Sequence, residues 1–235
     1  MPISVGDFAR AVSVDNLMVH TRNLVRASHL KDAIPSFADF DIVPAPARGR
    51  VSGYFEKSSR RHQLLSAETI ISSDTPLIEL PGLLSSRPFY FVNSGNNIVG
   101  YIHYSDLNKA PIRAPFFALL EAAEVSVSIR IRDRIATEDI KAMSTPGRYR
   151  ALKGRLERRS TQNLDLGWLA VLKFGEILRL ARRYRALNLD DEDLGLLVEF
   201  RNRIAHTNLR LIENYNEIRK LSKVEALLRR ITKSA

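Results

Sequence analysis

Cysteine is absent from all 235 positions of the sequence. Disulfide bonds, thiolate metal sites and cysteine nucleophiles are therefore excluded. Long apolar runs are also missing, because no stretch approaches the about 18 consecutive apolar residues that a membrane-spanning helix needs. The first residues lack the continuous apolar segment of a secretory signal peptide. We therefore expect a soluble, cytoplasmic protein that has no membrane partner.

The residues that are present describe a basic globular protein. Hydrophobic residues make up 45% of the chain and charged residues 26%, which is typical of a folded domain. The net charge of +10 is unevenly shared, because residues 1–110 carry 11 Lys and Arg against 10 Asp and Glu, whereas residues 111–235 carry 25 against 16. The second half therefore has either a solvated helical surface or a polyphosphate partner.

The first 110 residues contain an internal repeat at an offset of 47 positions. Residues 42–45 align with residues 89–92, and residues 51–55 align with residues 98–102. Each copy reads as an apolar strand, a turn and a second apolar strand, and residues 93–97 (Asn-Ser-Gly-Asn-Asn) have strong hairpin chemistry. Short helical stretches at 29–34 and 76–80 precede the hairpins, so we expect two copies to pack into one α/β module.

The second copy, with its ending Gly100-Tyr-Ile-His-Tyr-Ser-Asp106-Leu, resembles the second half of a CBS domain pair, and the first copy resembles its partner. The resemblance covers about residues 10–110, with repeats at about 10–62 and 63–110. It implies a site for an adenine nucleotide at Gly100, at His103, which stands where the family has a phosphate-contacting Thr or Ser, and at Asp106, which stands where the family binds ribose hydroxyls. In the first copy these positions hold Glu56 and Ser59, so a second site is not expected.

Two of these residues also have a purely structural interpretation. Asp106 suits the N-cap of the short segment that follows it as well as it suits a ligand, since both roles use the same carboxylate oxygens. His103 reads more simply as a polar residue on the surface of the hairpin.

After a proline-containing linker at 109–115, the pattern is helical to the end of the chain, and the fold class predicted is α+β. Domain boundaries follow at 1–110 and 111–235, with the second domain an all-α bundle of four helices. The periodicity places these helices at residues 116–135, 166–186, 190–208 and 212–231. A very basic stretch at 148–159 reads either as a solvated helix or as an arm that contacts RNA.

The third predicted helix carries an unusual polar cluster near its end. The acidic run 190–193 suits a helix N-terminus, and a helical projection groups Leu194, Leu197, Phe200, Ile204 and Ala205 on one apolar arc. Arg201 falls inside this arc, whereas Asn202 and His206 fall opposite. A cation in an apolar arc needs a partner, a substrate anion or an interface edge, and Glu124 and Glu199 are candidate partners.

The segment Arg201-Asn-Arg-Ile-Ala-His206 on the third helix of a basic bundle resembles the HEPN family, whose signature is Arg, four to six residues, then His. Arg22 and His29 also match this signature, but only the later copy, with the polar Asn202 directly after its Arg, lies in a basic bundle. The resemblance covers about residues 113–235. It implies a ribonuclease with Arg201, Asn202 and His206 as catalytic residues and Glu124 as a supporting residue.

This chemistry requires no metal and no cofactor, because the 2′-OH of RNA is the nucleophile and the protein moves protons and stabilises charge. No metal-ligating pattern is present in the sequence. One motif supplies one His and one Arg, so the resemblance implies a composite site in a homodimer. We expect an RNA endonuclease of the toxin or defence type, modulated by the CBS-like pair. The alternatives are a non-catalytic RNA- or protein-binding module and a nucleotide-regulated scaffold.

Overall fold

The computed structural model describes residues 5–47, 49–160 and 167–233, and the fold is α+β. The chain forms two compact units. The sheet unit consists of Asp7–Pro115 together with Ile212–Arg219, and the helical unit consists of the described parts of Phe116–Leu211 and Lys220–Ala235 with the start of the chain.

The sheet unit contains two antiparallel hairpins, each extended by further strands. Its strands are β1 (Val19–His20), β2 (Ile42–Ala47), β3 (Arg50–Glu56), β4 (Arg61–Leu64), β5 (Ile70–Ser72), β6 (Phe89–Ser94) and β7 (Asn97–His103). One sheet has the order β1-β7-β6-β5, in which only β5 and β6 run parallel, and the other has the order β2-β3-β4. Short helices α1 (Val5–Ala11), α2 (Leu30–Ala33) and α3 (Leu80–Leu84) complete the N-terminal part of the chain.

The predicted repeat is confirmed in the strand register. Ile42 pairs with Glu56 in the first hairpin and Phe89 pairs with His103 in the second, so both pairs are related by the same offset of 47. The bulge also recurs at equivalent places, after Ala45 and after Val92. Local turn residues fix the register of a hairpin, which explains why this part of the fold is legible in the sequence.

The two sheets of the sheet unit share an aromatic core. The rings of Tyr54 and Phe89 meet edge to face at 5.3 Å, and Phe91 lies 5.6 Å from Tyr54. Ile42 and Val51 are buried in the same cluster. The two copies of the repeat therefore pack into one module, as the sequence predicts, because each hairpin buries its apolar face against the other.

Within the described residues, six helices lie mainly in the helical unit: α4 (Arg113–Ile131), α5 (Thr137–Met143), α6 (Pro146–Ser160), α7 (Phe174–Arg183), α8 (Asp191–Ala205) and α9 (Ile218–Lys233). The buried stripe of α4 is the predicted one: Phe116, Leu120, Ala123 and Val127. The prediction of four helices is therefore wrong in number, because α5 and α6 occupy the stretch that reads as a break and a basic arm.

The predicted helix at 166–186 is wrong in its extent. Leu166 lies outside the described residues, Gly167 has a φ of 60°, and Trp168–Ala170 forms a 3-10 turn. Helix α7 begins only after Lys173, whose N–H donates to the Glu176 carboxylate at 2.7 Å. It ends before Arg185, which has a φ of 55°. Such left-handed residues terminate helices.

The linker at 109–115 is also corrected. Ala110–Ile112 forms a 3-10 turn, and α4 begins at Arg113, so Pro115 lies in the first helical turn. The missing N–H of proline costs nothing there, because the first amides of a helix have no partner within it.

The fourth predicted helix begins later than residue 212. Ile212 exchanges two hydrogen bonds with the side chain of Asn108, at 3.0 and 3.1 Å, and thus belongs to the sheet unit. The side chain of Asn214 caps a 3-10 turn by accepting the N–H of Asn216 at 3.0 Å. Helix α9 then buries the predicted seam of Ile218, Leu221, Val224, Leu228 and Ile231.

Helix α8 agrees with the sequence at its start. Asp190 is the N-cap, and its carboxylate accepts the N–H of Asp193 at 2.7 Å. Leu194, Leu197, Phe200 and Ile204 are buried as predicted. Ala205 and Arg201 are exposed instead of lying in the apolar arc. None of the helices in the described part of the chain combines the length and apolar character that crossing a bilayer requires.

Candidate functional site

A cavity of about 650 Å3 opens in the helical unit between the start of α7 and the end of α8. We call it the helical-unit cavity. Its polar lining is Glu124, Lys173, Glu176, Arg179, Arg201, Asn202 and His206. The structure thus brings together the three motif residues and Glu124, although three helices, α5 to α7, separate Glu124 from the motif in the sequence. Lys173 and Arg179 also line the cavity, and the sequence did not single them out for this site.

The end of α8 positions the motif. Arg201 and Asn202 lie in the last turns, and the N–H of His206 donates to the Asn202 carbonyl at 3.0 Å as the helix ends. The backbone of His206 is extended. The imidazole is therefore carried on the residue at which the chain leaves the helix, beside two side chains that the helix holds in fixed register.

A close approach of two helices forms one wall of the cavity. A Cβ atom added to Gly175 in α7 would lie 2.9 Å from a methyl carbon of Val198 in α8. Both residues line the cavity. The absence of a side chain at Gly175 thus sets the spacing at which α8 presents Arg201.

Arg201 faces the cavity, which explains its exposure despite its place in the helical projection. A helical wheel gives the direction of a side chain but does not say whether a neighbour fills that direction. Glu199 is not its partner, because Glu199 pairs with Arg203 at 2.7 Å. Arg203 also donates to the Leu211 carbonyl at 3.1 Å, so this arginine anchors the segment after α8.

Glu124 is half-buried on α4 and is electrostatically coupled to Arg201. Burial raises the pKa of the Glu124 carboxyl, the nearby Glu121 raises it further, and the positive charge of Arg201 partly opposes the rise. The two side chains therefore interact electrostatically across the cavity. The sequence makes Glu124 a candidate partner of Arg201, and this interaction agrees with that expectation.

The second carboxylate of the cavity is fully engaged by hydrogen bonds. Arg148 donates to both oxygens of Glu176, at 2.8 and 2.7 Å, and the backbone N–H of Lys173 donates to one of them. Burial favours a higher pKa for Glu176, but these hydrogen bonds outweigh it and lower the pKa. Glu176 thus has a structural role: its negative charge is balanced by Arg148, and its carboxylate caps the start of α7.

Positive side chains continue beyond the cavity. Arg179 also lines an adjoining cleft of about 590 Å3 whose other polar residues are Arg182, Arg183 and Asp191. Arg182 pairs with Asp191, and Arg183 pairs with Asp139 at 2.9 Å. Among the residues that the structure describes, the Arg179 guanidinium has no such carboxylate partner. Arg179 therefore links the motif cavity to a second basic cleft.

The sheet unit has a cavity of its own, of about 310 Å3, which we call the sheet-unit cavity. Its polar and aromatic lining includes Asp39, Phe40, Asp41, Tyr101, His103, Ser105 and Asp106. His103 and Asp106 are thus placed together, as the sequence predicts. Gly100 lies outside this lining, and a Cβ there would meet the Met18 sulfur at 2.3 Å. The close approach of Met18 accounts for this glycine.

The interpretation of Asp106 as an N-cap is wrong, because His103 is the N-cap of the turn Tyr104–Asn108 and Asp106 holds that turn from within. The Asp106 carboxylate accepts the N–H of His103 at 2.7 Å and pairs with Lys109 at 2.8 Å. His103 contacts the Ser105 hydroxyl at 2.9 Å. Burial lowers the pKa of the His103 imidazole, although Asp106 and Asp41 oppose this. The imidazole thus lies near the carboxylates of Asp106 and Asp41, whose charges act against the effect of its burial.

No group of three or more His, Asp or Glu side chains suited to hold a metal ion occurs within residues 5–47, 49–160 and 167–233. Comparisons with protein-family models, with curated proteins and with solved structures find no match to this chain.

Proposed function

We propose that the helical unit is a metal-independent endoribonuclease of the HEPN type. The observation that carries the proposal is that Arg201, Asn202 and His206 line one cavity together with Lys173 and Arg179. A cavity with several cations and an imidazole suits a phosphodiester, because guanidinium and ammonium groups bind phosphate oxygens. The net charge of +9 over residues 111–235 favours the same polyanionic substrate.

The roles of the three residues follow from their chemistry. We assign proton transfer to the imidazole of His206, because imidazole is the side chain that most often acts as a general acid or base. The fork of Arg201 stabilises the charge that develops on the phosphate oxygens during attack by the 2′-OH. Asn202 orients either the imidazole or the RNA. The products are a 2′,3′-cyclic phosphate and a 5′-OH, and the biological setting that we propose is a toxin or defence system.

We propose a homodimer as the working assembly. The resemblance to HEPN proteins assigns a second proton-transfer group to the facing motif of another copy. Helix α4 supports an assembly because it exposes three large apolar side chains, Phe117, Val125 and Ile129, along the helix that also carries Glu124. In a two-fold dimer the same patch of both copies meets, so this apolar face would be covered by its own counterpart.

For the sheet unit we propose a regulatory site for an adenine nucleotide in the sheet-unit cavity. Carboxylates such as Asp106 accept hydrogen bonds from ribose hydroxyls, and the rings of Phe40 and Tyr101 suit a purine. The cavity lining holds no Lys or Arg among the described residues. The adenosine part of the ligand is therefore the part that the cavity is suited to bind.

Cleavage assays with labelled single-stranded and structured RNA in EDTA test the nuclease. We expect the unchanged chain to cut, His206→Ala to lose about 100-fold or more of kcat, and Arg201→Ala to lose a comparable factor. His29→Ala and Arg22→Ala are matched controls, because they alter the other match to the same Arg-to-His signature. Uncut RNA, or equal cutting by His206→Ala, contradicts the proposal.

The second candidate function is a non-catalytic RNA-binding module. The observation that favours it is the pair of adjoining basic clefts joined at Arg179, which needs no proton transfer to bind phosphates. This function predicts salt-sensitive RNA binding without cleavage, and binding that His206→Ala leaves unchanged.

A further inference from the structure

The helical-unit cavity contains two carboxylates, and the structure distinguishes them. Glu176 is saturated by Arg148 and by the N–H of Lys173. Glu124 lines the same cavity, and within the described residues its carboxylate makes neither a hydrogen bond nor an ion pair. One carboxylate is thus committed to the fold, and the other is available to a ligand.

The position of Glu124 is fixed by the helix that carries it. Ala123 and Val127 on the same helix are completely buried. These contacts hold the rotation of α4 and direct Glu124 to the edge of the core, where the cavity opens. A proton-transfer group must be held in one place to act, and this half-buried position meets that condition better than an exposed loop does.

The surroundings of Glu124 also suit proton transfer. The charged groups around it are Glu121 from its own helix, Lys173, Glu176 and Arg179 from the region of α7, and Arg201 and His206 from α8. Burial and Glu121 raise the pKa of Glu124 above its ordinary value. A carboxylate whose pKa is raised holds a proton more strongly and is therefore a stronger base. Its pKa also lies closer to the working pH, which favours general acid–base catalysis.

We infer that Glu124 is the second proton-transfer group of the site, so that one chain holds a complete pair with His206. This inference rests on the proposed ribonuclease function. The HEPN resemblance implies a different second proton-transfer group, namely the motif histidine of another copy. A homodimer then remains an assembly that shapes the RNA groove, but the chemistry does not need a second motif.

The step balances within one chain. The Glu124 carboxylate accepts the proton of the 2′-OH while the 2′-oxygen forms a bond to phosphorus. The bond from phosphorus to the 5′-oxygen breaks, and protonated His206 gives its proton to that oxygen. Arg201 stabilises the phosphate oxygens throughout. Glu124 is left protonated and His206 neutral, and exchange with water restores both.

The test is Glu124→Gln, with Glu138→Gln as the matched control, because Glu138 is an exposed glutamate on α5 of the same unit and does not line the cavity. We expect Glu124→Gln to lower kcat by about 100- to 10,000-fold, with KM and the binding of uncleavable 2′-O-methyl RNA unchanged. The control should cut like the unchanged chain. Glu124→Asp keeps the carboxylate and should recover part of the activity. Equal thermal unfolding of all variants shows that the fold is kept.

The pH profile separates a proton acceptor from a residue that only positions Arg201. In the unchanged chain, kcat should rise with pH as Glu124 loses its proton. In Glu124→Gln the rise on the acidic side should disappear. Cutting by Glu124→Gln at the rate of the unchanged chain, or an unaltered acidic limb, overturns the inference and leaves the nuclease proposal standing.

A mixing experiment tests whether the pair belongs to one chain. Chains with His206→Ala are mixed with chains with Glu124→Gln under conditions that exchange subunits. No chain in the mixture holds both groups, so we expect no recovery of cutting. Recovery contradicts the same-chain pair, because it shows that Glu124 of one copy works with His206 of another. If the unchanged chain does not cut RNA, the nuclease proposal and this inference both fail.

Discussion

The helical-unit cavity is lined by Lys173, Arg179 and Arg201, whereas the sheet-unit cavity is lined by Asp39, Asp41 and Asp106. Both cavities also contain a histidine, His206 in the first and His103 in the second. His206 thus shares its cavity with three cations and with two carboxylates, Glu124 and Glu176, whereas His103 shares its cavity with carboxylates and with no cation of the described residues.

The difference separates two kinds of recognition within one chain. Cations attract a polyphosphate backbone, and an imidazole among them can serve the phosphate chemistry. Carboxylates repel phosphates and accept hydrogen bonds from hydroxyl or amino groups. The formal charges of the two halves, +1 and +9, follow the same division. We expect a nucleic acid strand to bind the helical unit and a small ring-bearing ligand to bind the sheet unit.

The largest effect that we expect in this comparison concerns Glu176, the carboxylate of the helical-unit cavity that is paired with Arg148. Arg148 and Glu176 have side chains that are only 23% and 13% exposed, so each relies on the other. We expect Arg148→Met to lower the free energy of unfolding by about 1.5–3 kcal/mol at neutral pH and to weaken RNA binding. Arg150→Met, on the exposed face of the same helix, is the control.

This loss should depend on pH in a defined direction. The pKa of Glu176 is lowered in the folded chain, so its stabilisation is present above the unfolded carboxyl pKa of about 4.3 and is lost as pH falls through the folded value. Urea denaturation at neutral and at acidic pH measures it. A deficit of Arg148→Met that stays constant into acid would show that packing, not charge, explains the loss.

An intermediate effect is expected for ligands of the sheet unit. Because like charges repel across a binding interface, adenosine should bind at least about tenfold more tightly than ATP, and added salt should narrow the gap. Asp41→Asn should also narrow it, whereas Asp74→Asn, an exposed aspartate of the same unit, should not. Calorimetry at several salt concentrations measures the ratio. If ATP binds more tightly than adenosine, the claim that the sheet-unit cavity disfavours phosphate groups is wrong.

The smallest effect is expected at Arg179, which joins the two basic clefts. Replacing it by Gln removes one phosphate contact, so the slope of log K against log salt should become shallower by about 1. Affinity for uncleavable RNA should fall several-fold, and kcat at saturating RNA should be unchanged. Arg150→Gln controls for net charge. An unaltered salt slope would place the RNA path away from Arg179.

The sequence revealed those features that depend on neighbouring residues. The repeat, both hairpins and the cap at Asp190 are set by turns, alternation and a single side chain, and the structure contains all three. The end of a pattern was less legible. The Glu176 carboxylate accepts the N–H of Lys173 and so sets the start of α7. The spacing of apolar residues does not predict this contact.

The candidate site was predictable only in part, for the same physical reason. The motif on α8 is local, so Arg201, Asn202 and His206 could be grouped from their spacing. Their neighbours come from other helices, and the role of Arg179 and the freedom of Glu124 depend on which partners lie within reach in space. The projection that placed Arg201 among apolar residues could not show that the direction it points in is a cavity.

The order of strands in the sheet unit has a consequence for the growing chain. Strands β2, β3 and β4 follow one another closely, so their sheet can form while the ribosome is still making later residues. Strand β1, although made first, pairs only with β7, the last strand of the unit. Contacts between residues far apart in sequence form late, so Val19 and His20 must wait unpaired through most of the synthesis of the unit. Among the described strands, the earliest made is therefore one of the last to be fixed.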